Sequence, residues 1–388
     1  MLNKFSNTIL ILLIALCSCK SDSNNNIIII DPENAIEKEV FLSQFAIDIS
    51  YIPLENQILF RHPTRIETTE DRFIIANFPD NILSFNRNGN LLAEIGSRGR
   101  GPGEYNFGLY FTVDSENGLI YIYDRQTHKI IAYSFCGSFL KEFLINQFDG
   151  NFTDVFYSEG KIFLAGALLY GRPTYDWLIL DTLGNLHSKK NNSIPEFKTN
   201  FPGIGRFLIS KDDILYWNNY NDTIFRIQDY SFQPAMYFAT GDFRRPHQVI
   251  SLEEAGKYFD PRLMINTKSF LFIGYDLRKQ LYTSYINKDD GDLIILGRTE
   301  SRSIFDLPGI PNDIDAGPAF PPFYYFQEDG EEFLIGWIYA YRLKSHIESE
   351  TFKNFTPKYP EKKKELEKVA ASLDENDNPV LMLVKLKN

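Results

Sequence analysis

The chain has 388 residues, a formal charge of −11 at neutral pH and 44% hydrophobic residues. That hydrophobic share supports a sizeable core, while an acidic surface repels phosphate backbones and argues against non-specific nucleic-acid binding. Aromatics reach 15%, with 33 Phe and 22 Tyr, and such side chains fit half-buried pleated surfaces, so the composition leans towards β-structure.

The first eighteen residues read as an address. Lys4 supplies a positive n-region, and Ile9 to Leu16 is an unbroken apolar run, too short to span a bilayer but suited to a signal-peptide core. It ends in Leu16-Cys17-Ser18-Cys19, a lipobox pattern that makes Cys19 the lipidated residue and predicts an outer-membrane lipoprotein facing the periplasm or the cell surface. Residues 19–40 then read as a polar tether, opening with KSDSNNN. Once Cys17 leaves and Cys19 is lipidated, Cys136 stands alone, so no internal disulfide framework is expected and stability must come from burial.

From residue 41 onward the chain reads as one repeating β-domain. Phe45 to Leu54 is a lone strand without a hairpin mate. Ile82 to Asn86 alternates as a strand, turns at Asn88-Gly89 and returns as Leu91 to Ile95. With Phe85 as anchor, Tyr133 follows 48 residues on, Leu180 after 47 more and Ile227 after another 47. Each anchor precedes a turn: Asn88-Gly89, Cys136-Gly137, Leu183-Gly184, then a degenerate Tyr230-Ser231. A period in the forties built from four short strands predicts propeller blades. The second unit shows all four strands, at Leu109–Val113, Leu119–Tyr123, Ile130–Ser134 and Phe139–Phe143.

The later units are looser. Residues 241–268 read as an insertion with a short helix at Leu252–Tyr258. A fifth unit contributes Ser269–Tyr275, Gln280–Ile286 and Leu293–Gly297, and a sixth has strands near Phe323–Phe326 and Phe333–Tyr339. Leu366, Val369, Ala370 and Leu373 recur at helical spacing and predict a helix over Glu361–Leu373. The final strand, Pro379–Lys387, needs a partner, and Phe45–Leu54 supplies one, so that one blade combines both termini and closes the ring. The fold class expected is all-β: a six-bladed propeller of four-stranded blades with short helical insertions.

The run NRNGNLLAEIGSRGRGPGEY, together with VDSENGLIYIYD, Asn312-Asp-Ile-Asp-Ala-Gly317 and the tail DENDNPVLMLVKLK, resembles the six-bladed β-propeller lipoproteins, a family related to NHL-repeat and TolB-like propellers. The resemblance covers most of the chain from about Phe45 and implies fold and export. It assigns no reaction.

The glycine loop at Gly96–Gly103 lacks the Gly-Lys-Ser/Thr of a phosphate cradle. It reads as a crossing from the outer strand of one blade to the inner strand of the next, where glycines allow close approach and positive φ. Crossings and second-to-third strand turns share one face of a propeller. That face would bring together Arg98, Arg100, Tyr170, Arg172 and Tyr220, with Phe78, as a site for a glycan, peptide or protein partner. Asp313 and Asp315 in NDIDAGP are the metal candidates, although Pro321 to Tyr324 stand where later calcium-loop ligands belong. No His-x-x-x-His pair and no Gly-x-Ser-x-Gly elbow occurs. The expected function is a non-enzymatic binding module without cofactor. The alternative is an enzyme of the lactonase or lyase type with a divalent metal in the central tunnel, and a metal analysis separates the two.

Overall fold

A computed structural model describes residues 27–59, 62–77, 81–168, 174–210, 213–301 and 303–387. Six antiparallel four-stranded sheets form six blades, and their inner strands touch in a closed cycle around one axis. From blade one to blade six those inner strands are Pro63–Thr68, Phe111–Asp114, Asn151–Ser158, Gly205–Ile209, Asp260–Asn266 and Tyr324–Glu328. The four sequence anchors fall on the third strand of blades one to four. Phe85, Tyr133 and Leu180 are fully buried there, and Ile227 nearly so, because the third strand is packed between neighbouring blades on both faces.

The recurring turn glycine has a packing role. Gly89, Gly137 and Gly184 sit at φ of +86°, +83° and +89°, which a side chain rarely adopts. Each also lies against the outer strand of the preceding blade: Gly89 on Pro53, Gly137 on Glu94 and Gly184 on Phe143. In blade four the degenerate turn reaches positive φ without glycine, at Asp229 and Tyr230.

Closure follows the expected route. Val380–Leu386 pairs antiparallel with Ala46–Pro53, running from Val380 opposite Pro53 to Lys385 opposite Asp48. Blade six therefore takes three strands from the C-terminal part of the chain and its outer strand from near the N-terminus.

Four elements differ from the sequence reading. Residues 260–266, read as insertion, form the inner strand of blade five; Asp260-Pro261-Arg262 masks its start, because one side of that strand faces the axis and carries polar groups. Within residues 19–40, the expected polar tether, Ile28–Ile30 and Ile36–Glu37 lie on the propeller as parallel fifth strands of blades four and five. Four consecutive isoleucines, Ile27 to Ile30, favour a ladder edge over water. Between the second and third strands of blade six, Ala340–Glu348 and Glu350–Asn354 are helices beside the expected one, found at Pro360–Ala371. Leu343, Phe352, Leu366, Ala370 and Leu373 give this helical insert its own small core. The helix anticipated at Leu252–Tyr258 is shorter, Leu252–Ala255, with Ser251 accepting from the Glu254 amide at its start.

Candidate functional site

Every inner strand runs in the same sense, from the face of the crossing loops to the opposite face, because each is entered from an outer strand and left through a first-to-second strand turn. Side chains of these strands line the axis, among them Arg65 and Glu67, Asp154 and Phe156, Arg206 and Leu208, then Arg262, Met264 and Asn266, with Tyr324 from blade six. Together they line a cavity of about 480 Å³, within the range of small-molecule sites and mixed in the way such sites are.

Arg65 is fully engaged. Its Nη1 donates to Asp154 Oδ1 at 2.5 Å, its Nε and Nη2 to Glu67 Oε1 at 3.1 and 2.8 Å, and its Nη2 also to the Val155 carbonyl at 2.8 Å. This strap joins blade one to blade three past Phe111, whose ring lies 5.6 Å from the guanidinium. Burial works against the Arg65 charge, and Asp154 and Glu67 more than offset it. Burial lifts the Glu67 carboxyl above its ordinary range, opposed by Arg65 and assisted by Asp154. Arg262 donates to Asp276 at 2.6 Å and lies 3.6 Å from Asp260, which also holds Arg245 at 2.7 Å.

Arg206 differs from both. It is half-buried on the axis, and its guanidinium makes no hydrogen bond or ion pair with the described residues. Tyr324 lies close enough to feel Arg65, Arg206 and Glu67: burial pushes its phenol up, and the two arginines pull it back. At the far end Asn266 is 2% exposed. Its Nδ2 donates to Ser210 Oγ at 3.4 Å, and its Oδ1 has no partner among the described residues.

The residues singled out by sequence are dispersed. Arg98 and Arg100 are exposed on the crossing from blade one to blade two, and Arg98 Nε donates to the Asn106 carbonyl at 3.2 Å. The glycines of that loop are structural: a Cβ at Gly96 would meet the Tyr133 ring and one at Gly103 the Phe139 ring. Tyr133 itself donates to the Gly103 carbonyl at 2.5 Å. Tyr220, expected as a ring offered to a ligand, is 3% exposed. Its ring packs on Phe197 and His247, and its hydroxyl lies 2.9 Å from Thr199 Oγ1 and 3.1 Å from the Phe201 carbonyl. The crossing from blade three to blade four, with Phe197 and Thr199, and His247 of the insertion cover it. Cys19, Phe78, Tyr170 and Arg172 lie outside the described residues.

Asp313 and Asp315 point to different partners. Asp313 accepts from the Ser43 amide and hydroxyl at 2.9 and 2.6 Å and faces Lys358 at 3.4 Å. Burial alone would raise its carboxyl, but these donors bring it below its usual value. Asp315 is buried and accepts from Asn312 and the Gly317 amide at 2.6 and 2.8 Å. Among the described residues no group of three or more His, Cys, Asp or Glu is placed to hold a metal ion. No helix among them is long and apolar enough to cross a membrane.

The sequence reading missed the axial residues. Their signal is a charged residue inside the first strand of a unit, as in Thr64-Arg65-Ile66-Glu67 and Gly205-Arg206-Phe207, where the exposed side of the strand faces the axis.

This geometry defines a six-bladed β-propeller with an axial cavity of mixed apolar and charged lining. Residues 27–385 match the model of a domain of unknown function, DUF4934, and the chain belongs to that family. A "Putative exported protein" of Bacteroides fragilis NCTC 9343 has a similar structure, with a TM-score of 0.63 and 18% identity over 93% of this chain and 100% of that one. A member of the DUF4221 family from Bacteroides vulgatus gives a TM-score of 0.49 at 11% identity, over 88% of this chain and 97% of that one. These likenesses concern the fold. No curated protein matches the sequence.

Proposed function

We propose that this chain is an exported, lipid-anchored and non-enzymatic binding module of the cell envelope, which takes a small ligand into its axial cavity. The observation that carries the reading is the convergence of five inner strands, with Leu109 and Tyr110 just ahead of the blade-two strand, on one cavity whose lining mixes rings and aliphatic groups with Arg206, Tyr324 and Asn266. A purely structural axis would be expected to satisfy its polar groups internally. The leader and lipobox support the address, as does the exported description of the similar Bacteroides fragilis protein.

Two experiments test the halves of this reading. Cys19→Ala should release the protein from the membrane fraction, and a variant that stays membrane-bound contradicts the anchor. For the cavity, 8-anilinonaphthalene-1-sulfonate (ANS), an apolar body with one anionic group, should brighten on binding the folded protein. Ile204→Trp combined with Gln327→Trp fills half-buried lining positions and should remove that response. Unchanged binding in the filled variant overturns the cavity as the site.

A further inference from the structure

Resting on that reading of the cavity, we infer that its ligand is a hydroxylated organic monoanion of sugar-acid type, with its carboxylate on Arg206 and Tyr324 and its hydroxyls towards Ser210 and Asn266. Three axial arginines line the space. Arg65 is saturated by Glu67, Asp154 and a carbonyl, and Arg262 is held by acids through its Nε, from Asp276 at 2.6 Å and Asp260 at 3.6 Å. Arg206 alone of the three has no acid partner among the described residues, and its planar fork matches a carboxylate bidentately. Tyr324 brings a second donor within electrostatic reach of the same guanidinium.

The opposite end asks for a donor. Asn266 Oδ1 is a buried acceptor without a partner among the described residues, which is costly to leave unmatched, and a ligand hydroxyl is the matching group. Ser210 follows Arg206 by four residues on the same chain segment, so the two ends stand about 13 Å apart along an extended strand. That span suits a disaccharide-sized acid better than a free anion. Charge decides between one and two negative groups. Glu67, Asp154, Asp260 and Asp276 are each paired with Arg65, Arg245 or Arg262, which leaves Arg206 as the one axial arginine without an acid among the described residues. A single carboxylate matches that one unpaired charge, whereas a dianion such as phosphate brings a second negative charge that no unpaired axial arginine meets. Phe156, half-buried at the cavity wall, supplies an apolar face for a sugar ring.

Calorimetric titration of the folded protein with lactobionate, lactose and inorganic phosphate tests this. Lactobionate should bind, lactose at least tenfold more weakly, and phosphate should not compete. Arg206→Gln should lower lactobionate affinity at least tenfold with the melting temperature unchanged or raised, since no protein partner is lost, and Arg206→Lys should recover part of the affinity. Equal affinity for lactose, full binding by Arg206→Gln, competition by phosphate, or no binding of lactobionate each overturns the assignment. Lactose binding that Arg206→Gln leaves intact, but that Ile204→Trp with Gln327→Trp removes, would refute the anion while leaving the cavity as the site.

Discussion

The strand Val380–Leu386 makes ring closure quantitatively testable. Val380, Leu381, Met382, Val384 and Leu386 are at most 1% exposed and belong to three separate core clusters. Burying each such side chain contributes about 1.5–3 kcal/mol, so the strand as a whole carries roughly 8–15 kcal/mol. A domain's net stability is about 5–15 kcal/mol, and removing residues 379–388 should therefore abolish cooperative folding. The graded perturbation is Leu381→Ala, which empties a site packed by Phe323 and Trp337 in the same cluster and should cost about 2–5 kcal/mol. Lys385→Ala serves as the control, because that half-buried side chain faces Glu331 at 3.5 Å and such pairs contribute about 0–1 kcal/mol. Urea unfolding followed by tryptophan fluorescence and far-UV circular dichroism reads all three. A truncated protein that unfolds with the full-length midpoint, or a Leu381→Ala variant no weaker than Lys385→Ala, would refute terminal closure as the source of the ring's integrity.

Three further outcomes follow from the same contacts. Tyr220→Ala should destabilise by about 3–5 kcal/mol and Tyr220→Phe by about 1 kcal/mol in thermal unfolding, whereas a solvent-facing ring would change neither. Lys190 is paired with buried Asp176, which also accepts from Asn192 at 2.8 Å. Lys190→Met should cost about 3–5 kcal/mol by stranding that carboxylate, and a neutral result in urea would contradict the pairing. Glu67 gives a pH signature: because its folded carboxyl sits above the ordinary value of 4.5, the folded chain holds its proton where the unfolded chain has lost it. Its contribution to stability is present below that value and falls as pH rises through the window above it. The stability of Glu67→Gln relative to wild type should improve over that rise, and a pH-independent difference would refute the assignment.

Much of the fold was legible because propeller blades repeat. Phe85, Tyr133, Leu180 and Ile227 kept the register, and the turn glycines marked where each third strand ends. Strands that close the ring were legible as two orphans, Ala46–Pro53 and Val380–Leu386, each needing an edge. What failed to show was anything set by convergence of distant strands. Periodicity states that Arg65 and Asp154 lie on the polar side of their strands. It does not state that those sides meet, nor that Arg206 is left without an acid when they do. Tyr220 illustrates the converse: its turn was placed correctly in the chain, but the insertion carrying His247 packs over it, a contact with no local sequence pattern. The parallel strands at Ile28–Ile30 and Ile36–Glu37 likewise depend on which blade edges stand open.

The most direct test of the ligand site is a crystal structure of the protein with 3-iodobenzoate, an apolar ring bearing one carboxylate, located by the anomalous signal of iodine. The account predicts a single strong site on the propeller axis between the six inner strands, with the carboxylate on Arg206 and absent from crystals of the Ile204→Trp and Gln327→Trp variant. Iodine found instead beside Arg98 and Arg100 on the crossing-loop face, with the axis empty, would contradict it.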